Sequence, residues 1–186
     1  MASEDLTDLE TVKKYLRINA ADTTSDALLA ILISAASDFI QNILNRTFAA
    51  KVYTQRSNGN GVNVMLAGDY PILSVTSVSV DGRAILAAPS DTSAGYIFDD
   101  DAVHLRGDRF TKGVKNVVMT YRAGYETTPP NVDDCAATLV AKKFKYLDRI
   151  GHVSKILAGE TVTFEKSDLT DELKSVLRNY TKVVPI

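Results

Sequence analysis

The sequence predicts an α+β fold with a mainly helical core and a small antiparallel β lobe, and three observations carry that expectation. Apolar residues recur at steps of three and four in residues 25–46 and again in residues 131–149, the period of a helix with a buried face. Between Lys51 and Arg122 the period falls to two, with Asn, Asp and Gly turn signals between short runs rich in β-formers, as in half-buried strands. Pro129-Pro130 then separates the strand pattern from the next helical one, because proline cannot join a strand ladder.

Taken in order, Thr7-Asp8-Leu9-Glu10 has the form of a capping box, in which the Thr hydroxyl and Glu carboxylate each satisfy a free amide at a helix start. A short helix follows with Leu9, Val12 and Leu16 on one stripe, and Asn19-Ala20-Ala21-Asp22 ends it. Ser25 or Thr24 caps a longer helix, with Leu28, Leu29, Leu32, Ala36, Phe39, Ile40, Ile43 and Leu44 as its apolar positions. Ile33, Ala35 and Ser37 widen that stripe, so this helix is expected to meet neighbours on more than one side, some from another subunit.

Asn58-Gly59-Asn60-Gly61 reads as a hairpin turn, since Asn and Gly tolerate positive φ. Val75, Val78 and Val80 alternate with Ser and Thr in a strand closed by a second hairpin signal, Asp81-Gly82. Val117 to Tyr121 gives a further strand, and the loop from Ala87 to Gly95 and the run Asp99-Asp100-Asp101 are expected to be exposed. Asn131 is placed to cap the third helix, with Asp133 and Asp134 in its first turn, where the dipole favours acids. Ala136, Leu139, Val140, Phe144 and Leu147 should face inward, Lys142, Lys143 and Lys145 outward, and Gly151 should end the helix. A brief strand at Thr161 to Phe164, a last amphipathic helix from Ser167 or Thr170 carrying Leu173 and Leu177, and an apolar tail from Tyr180 to Ile186 complete the chain.

Composition narrows the function classes. With 45% hydrophobic and 24% charged residues the chain resembles an ordinary globular domain, and its net charge of −2 gives no bulk field for nucleic acid. The charge is uneven: residues 1–50 hold seven acids and four bases, whereas residues 141–186 hold nine bases and six acids. Cys135 is the single cysteine, which rules out an intrachain disulfide. The acidic start, Met1-Ala2-Ser3-Glu4-Asp5, lacks the basic region of a secretory signal, and no apolar run is read as approaching the ~18 residues of a membrane span. A cytoplasmic product without a membrane partner is therefore expected.

No constellation has the spacing of an active site. His104 and His152 are the only histidines and neither sits in an HxxxH or HxxE pattern. Cys135, early in a helix, lacks a histidine partner and reads as a small buried hydrophobe. Asp99-Asp100-Asp101 lacks the glycine and distant glutamate of a calcium loop, and Gly59-Asn60-Gly61 is followed by no phosphate-binding Lys. Arg106-Gly107-Asp108 spells an adhesion tripeptide that an exposed turn explains. No catalytic residue, metal or cofactor is expected. A solvated face is the reading preferred for Lys142, Lys143 and Lys145, which with Tyr146 nearby remain the candidate DNA-facing residues.

Three segments carry a family resemblance. Leu6 to Ile18 followed by Asp26 to Phe48, the stretch Tyr70-Pro71-Ile72-Leu73-Ser74-Val75-Thr76-Ser77-Val78-Ser79-Val80-Asp81-Gly82, and Val118 to Pro130 leading into an alanine-rich helix resemble, in this order, the head-tail connector (adaptor) proteins of tailed bacteriophages. The resemblance implies a single connector domain over residues 1–186: N-terminal helices in 1–50, the β lobe in 51–128, a core helix in 129–150, and a C-terminal strand, helix and tail in 151–186. It implies a non-enzymatic virion protein at the head-tail junction, made in the host bacterial cytoplasm. The family forms a ring, usually of twelve copies, beneath the portal protein; DNA passes through it, and a downstream head-completion or tail protein follows. Tyr180, Val183, Val184 and Ile186 match the family's portal-facing carboxy-terminal region by position and apolarity. The alternative is a DNA-packaging accessory that binds nucleic acid nonspecifically; a small hydrolase joining His104 or His152 to carboxylates ranks last.

Overall fold

The computed structural model describes residues 5–90, 92–147, 154–157, 160–163 and 170–182, with the two short segments 154–157 and 160–163 described as backbone. Helices and strands take about equal shares of the described chain, so the fold is α+β but the expectation of a mainly helical core with a small β lobe is corrected. Strand-forming Val, Ile, Thr and Tyr fill more of residues 51–123 than the turn signals between them suggest. Contacts divide the chain into two compact units, Met1–Thr47 with Thr128–Thr181, and Phe48–Thr127 with Lys182–Ile186.

In the helical unit, α1 (Leu9–Leu16), α2 (Asp26–Leu44), α3 (Pro130–Leu147) and α4 (Asp171–Arg178) meet around α3, which packs against the other three. The core is Val12 from α1, Leu29, Ile33, Ala36, Ile40 and Leu44 from α2, Leu139 and Val140 with three alanine-sized neighbours from α3, and Leu177. Asp8 is the N-cap of α1: its Oδ1 accepts the Thr11 amide at 2.7 Å. This moves the expected capping box by one residue, because Thr7 is buried and Glu10 pairs instead with Lys14 at 2.6 Å. The helix also stops before Asn19, at Arg17 in the left-handed region with φ 59°. Lys13 then closes the loop that follows: its buried Nζ donates to the Asp22 carbonyl at 2.8 Å and meets Asp26 at 2.6 Å. Helix α3 begins at Pro130 rather than after an Asn131 cap, since proline lacks the amide that a first-turn residue would leave unpaired. The end of α3 at Gly151 and the tail residues Val183, Val184 and Ile186 lie outside the described residues. Strands β8 (Ser154–Leu157) and β9 (Glu160–Thr163) pair antiparallel, and Thr170 caps α4.

In the β unit a four-stranded antiparallel sheet has the order β1 (Lys51–Gly59), β7 (Gly113–Ala123), β3 (Ile72–Val80), β4 (Arg83–Ile85). A three-stranded sheet has the order β2 (Val64–Leu66), β6 (Ala102–Arg106), β5 (Gly95–Phe98). Asp81 and Gly82, at φ 52° and 77°, make the expected tight turn between β3 and β4. Asn58 to Gly61 does not make a hairpin: β1 and β2 run into different sheets, β1 against β7 and β2 against β6. Met65, Tyr96, Val103 and Leu105 from one sheet and Val78, Val117, Met119 and Tyr121 from the other share one core. Tyr121 ties it: the hydroxyl donates to Gln55 Oε1 at 2.8 Å and accepts the amides of Gly68 and Asp69 at 3.1 and 3.2 Å. Burial raises its pKa. Gly124, at φ 116°, lets the chain pass the carbonyls of Phe48 and Ala49, where a Cβ would sit within 2.9 Å of both.

Candidate assembly surfaces

The helical unit leaves large apolar side chains of α2 exposed. Helix α2 has two apolar faces. Its inner face is the core already described; its outer one carries Ile31, 66% exposed, with Leu28 at 40%, while Ile43, 48% exposed, stands at the edge of the inner face. Leu28 and Ile43, expected among the apolar stripe, are exposed; of the residues expected to widen it, Ile33 and Ser37 are buried, with Ser37 Oγ accepting the Leu6 amide at 2.9 Å, and Ala35 is exposed. A stripe wider than one helix face cannot be buried by a single layer, and packing against α1 and α3 decides which edge is left out. By length and composition α2 is apolar enough to cross a membrane, which overturns the expectation that no run approaches that size. Its inner face is nevertheless held in the helical core, as in a core helix that passes the same test.

The lysines of α3 do not form one stripe. At 100° per residue Lys142 and Lys145, three apart, share a face, while Lys143 turns away. Lys143 Nζ stands 5.2 Å from the centre of the Phe39 ring, and Lys142 and Lys143 are both half-buried. The expected outward set is thus Lys145, with its neighbour Tyr146 exposed beside it. Phe144 is half-buried and Leu147 exposed, so the inward face of α3 ends a turn sooner than the periodicity suggests. Cys135 is buried, and burial first, then the Asp134 charge, raises the pKa of its thiol.

The start of the tail is anchored. The buried Arg46 donates through Nη1 to the Tyr180 carbonyl at 3.2 Å. Two residues on, Lys182 Nζ meets Asp69 Oδ1 at 2.9 Å, with both side chains four-fifths buried. Of the four expected interface residues, Tyr180 is therefore half-buried and engaged.

In the β unit His104 Nε2 contacts Asp99 Oδ2 at 2.9 Å, a surface pair with no nucleophile in it; His152 lies outside the described residues. Among the described residues no group of three or more His, Cys, Asp or Glu is placed to hold a metal ion. Arg106-Gly107-Asp108 lines an open groove of about 750 Å³ with Val62, Asn63, Leu105 and Arg109. Asp108 there pairs with Arg83, which lowers its pKa. Sequence reading missed that this groove belongs to a built tip. Asn58 Oδ1 accepts the Lys115 amide at 2.7 Å, and Asn116 Oδ1 accepts the Gly59 amide at 2.8 Å. Asn116 Nδ2 donates to Asp81 Oδ1 at 3.0 Å, and the Thr111 hydroxyl donates to the other oxygen. These two bonds, Thr111 first, hold the Asp81 carboxyl below its ordinary range. The signal available beforehand was the spacing of Arg106, Arg109, Lys112 and Lys115 within one loop and strand start.

A family model described as "HCP: Head completion protein" matches residues 5–183. No curated protein matches the chain. Among solved structures, the chain is similar to one from the "Neck of empty GTA particle computed with C6 symmetry", at 14% identity and TM-score 0.58, covering 95% of this chain and 90% of that one. A chain of the "Virion of native gene transfer agent (GTA) particle" matches at 12% identity and TM-score 0.56, with 95% and 89% covered. A third, from the "Neck of native GTA particle computed with C12 symmetry", matches at 11% identity and TM-score 0.55, with 98% and 96% covered. At these identities the three likenesses establish a shared fold.

Proposed function

Because the chain belongs to the head completion protein family, structural proteins of phage-type particles, we propose that it is a head-tail connector subunit whose two compact units serve as one connector domain in the virion neck. Copies assemble into a ring beneath the portal, DNA passes through its centre, and the next head-completion or tail protein docks on the far side. Twelve copies is the expected number, a figure in keeping with the C12 symmetry under which one similar neck was computed.

The observation that carries this reading is the outer face of α2. Leu28 and Ile31, three residues apart and both exposed, share a face of α2, and exposed apolar surface of this kind supports a protein contact. A head-to-tail contact whose rotation closes gives a ring, and closure multiplies modest pairwise affinity. Net charge near zero suits a conduit, because each phosphate neutralised tightens the grip on DNA and slows its passage. Tyr180, Val183, Val184 and Ile186 are the residues proposed to reach the portal.

Electron microscopy of the purified protein over a range of concentration, alone and with portal protein, tests this. Annular multimers are expected; protein that stays monomeric at high concentration with portal present overturns the reading. Since Arg46 and Asp69 hold the chain as far as Lys182, removal of Val183 to Ile186 is the truncation expected to leave the fold intact and abolish portal docking.

A second reading, nonspecific DNA binding in packaging, rests on Lys142 and Lys145 sharing one face of α3. It predicts that a duplex DNA is retarded in a salt-dependent way, and that Lys142→Glu with Lys145→Glu removes the retardation.

A further inference from the structure

The β unit is electrically polar along its strands. At one end, where β7 begins and β3 and β1 finish, stand Arg106, Arg109, Lys112 and Lys115, with Asp81 the one acid among the described residues not offset by an arginine. At the other, where β7 finishes, stand Asp99, Asp100 and Asp101, with Lys51 across the sheet and the Asp69–Lys182 and Glu126–Arg122 pairs each self-neutral. The register fixes these places: Gly59 lies opposite Gly113 at the first end and Lys51 opposite Ala123 at the second. The Ile72 amide, also at the second end, bonds to the Asp100 carbonyl at 2.7 Å.

An eleven-residue β7 separates the two ends by roughly 35 Å at about 3.4 Å per residue. That is several times the Debye length of about 8 Å at physiological salt. The two charge groups therefore contribute nothing to each other within one molecule; their separation matters only to a surface that touches one of them.

The basic end also carries an apolar knob. Val114 is 84% exposed between Lys112 and Lys115, and Val62 is 51% exposed on the groove beside Arg106 and Arg109. Phosphates offer nothing to an exposed valine, so the pattern fits a protein surface with an apolar spot inside an acidic rim. The acidic end of this same chain has that composition, with exposed Phe98 directly before Asp99. The knob is held ready: Lys115 sits at φ 50°, a conformation that persists where neighbours impose it, and its amide is held by Asn58 Oδ1. Ordering done in advance is not charged against binding.

We infer that the basic tip of the β unit docks on the acidic end of the β unit of a second copy, a head-to-tail contact in which charge sets the register and Val114 supplies the apolar anchor. The inference rests on the ring reading for its biological setting but is a statement about one pairwise contact. A contact joining opposite ends of one chain is heterologous, the type that propagates to a ring when its rotation closes.

Cysteine pairing tests the contact directly, because the native Cys135 is buried and stays silent. In the Val114→Cys/Asp100→Cys protein, a short bis-maleimide is expected to join residue 114 of one copy to residue 100 of the next and give a ladder of multimers. Each single variant should stay uncrosslinked. A separate test reverses charge: Arg109→Glu with Lys112→Glu should raise the concentration needed for assembly about tenfold or more. Adding Asp100→Lys and Asp101→Lys should restore it. The fold tolerates the last pair, since the backbone carbonyls of Asp100 and Asp101 take the bonds from Ile72 and Ala67. Rings seen by microscopy without any 114-to-100 product, or rings indifferent to the reversal, overturn the inference and leave the ring reading standing. A ladder of open chains with no rings supports the contact and removes the ring. If the reversal leaves assembly unchanged and weakens binding to a short duplex DNA, the tip serves nucleic acid and the inference fails.

Discussion

The two units of this chain leave different surfaces to solvent. The helical unit packs Leu29, Ile40, Leu44 and Leu139 around Ala36, Ala136, Ala137 and Cys135, and leaves Leu28, Ile31 and Ile43 exposed. The β unit keeps Tyr121, Met119, Phe110 and Leu105 inside and turns Ser, Thr and charged groups outward. The apolar stripe of α2 is wider than the face that α1 and α3 cover, so Leu28 and Ile31 are left outside while Leu29, Ile33, Ile40 and Leu44 are buried. A sheet sorts its residues by strict alternation and has little apolar surface to spare beyond its ends. One unit is therefore built to adhere over an area, the other to meet a partner at defined points.

Core truncations break the comparison hardest, since they remove the interior each unit depends on. Ile40→Ala in α2 and Met119→Ala in β7 both delete fully buried side chains and are each expected to cost about 2–5 kcal/mol, measured by chemical denaturation. A cost below about 1 kcal/mol at Ile40 would mean that the helical core collapses around the cavity.

Tyr121→Phe is the finer probe of the β unit. It keeps the ring and strands the Asp69 amide, whereas the Gly68 amide and Gln55 Oε1 still bond to each other at 2.7 Å. Leaving buried polar groups unpaired costs about 1–3 kcal/mol. Faster amide exchange at Asp69 should accompany the loss, with Gly68 still held by Gln55; unchanged exchange at Asp69 would show that water replaces the hydroxyl.

How far the sequence reveals this division depends on which interactions decide each element. Helix α2, the Asp81-Gly82 turn and the long strand ending near Tyr121 are legible because local periodicity and turn chemistry settle them. The start of α1 is not, because two adjacent residues can both cap a helix and the burial of Thr7 leaves the position to Asp8. Nor is Lys13, a charged residue buried because the carbonyls of a nine-residue loop happen to converge on its Nζ. The pairing of β1 with β7, across more than sixty residues at Tyr53 and Tyr121, has no local signature at all. The same holds for the assembly surfaces: the apolarity of α2 is plain in the sequence, but which edge stays outside is set by α1 and α3. The basic tip is four scattered residues until the strands bring them to one end.

Acid sharpens the contrast at the tip. The pKa values of Asp81 and Asp108 are lowered, by the Thr111 and Asn116 bonds and by Arg83 respectively. A carboxyl with a depressed folded-state pKa contributes stability above its unfolded value and loses it as the pH falls through the folded one. The tip should therefore be at full order near neutrality and loosen below about pH 4, while the Tyr121 core, which has no carboxylate in its bonds to Gln55 and the two amides, holds. Amide exchange at Lys115 and Gly59 followed against pH checks this; loosening of Gly68 at the same pH as Lys115 would contradict it.

The smallest change in stability belongs to the residue with the largest consequence for assembly. Ile31 is two-thirds exposed, and a surface substitution away from caps and pairs shifts stability by no more than about 0.5 kcal/mol. Ile31→Asp should leave the monomer's unfolding curve in place. If the outer face of α2 is the subunit contact, the same substitution places an unpaired carboxylate in an apolar interface, where desolvation costs several kcal/mol, and multimers should disappear at every concentration that sustains them in the unaltered protein. Sedimentation velocity beside thermal unfolding separates the two effects. Multimers that persist in the Ile31→Asp protein would return the burden of assembly to the charged ends of the β unit and make the apolar face of α2 a docking surface for a different component of the neck.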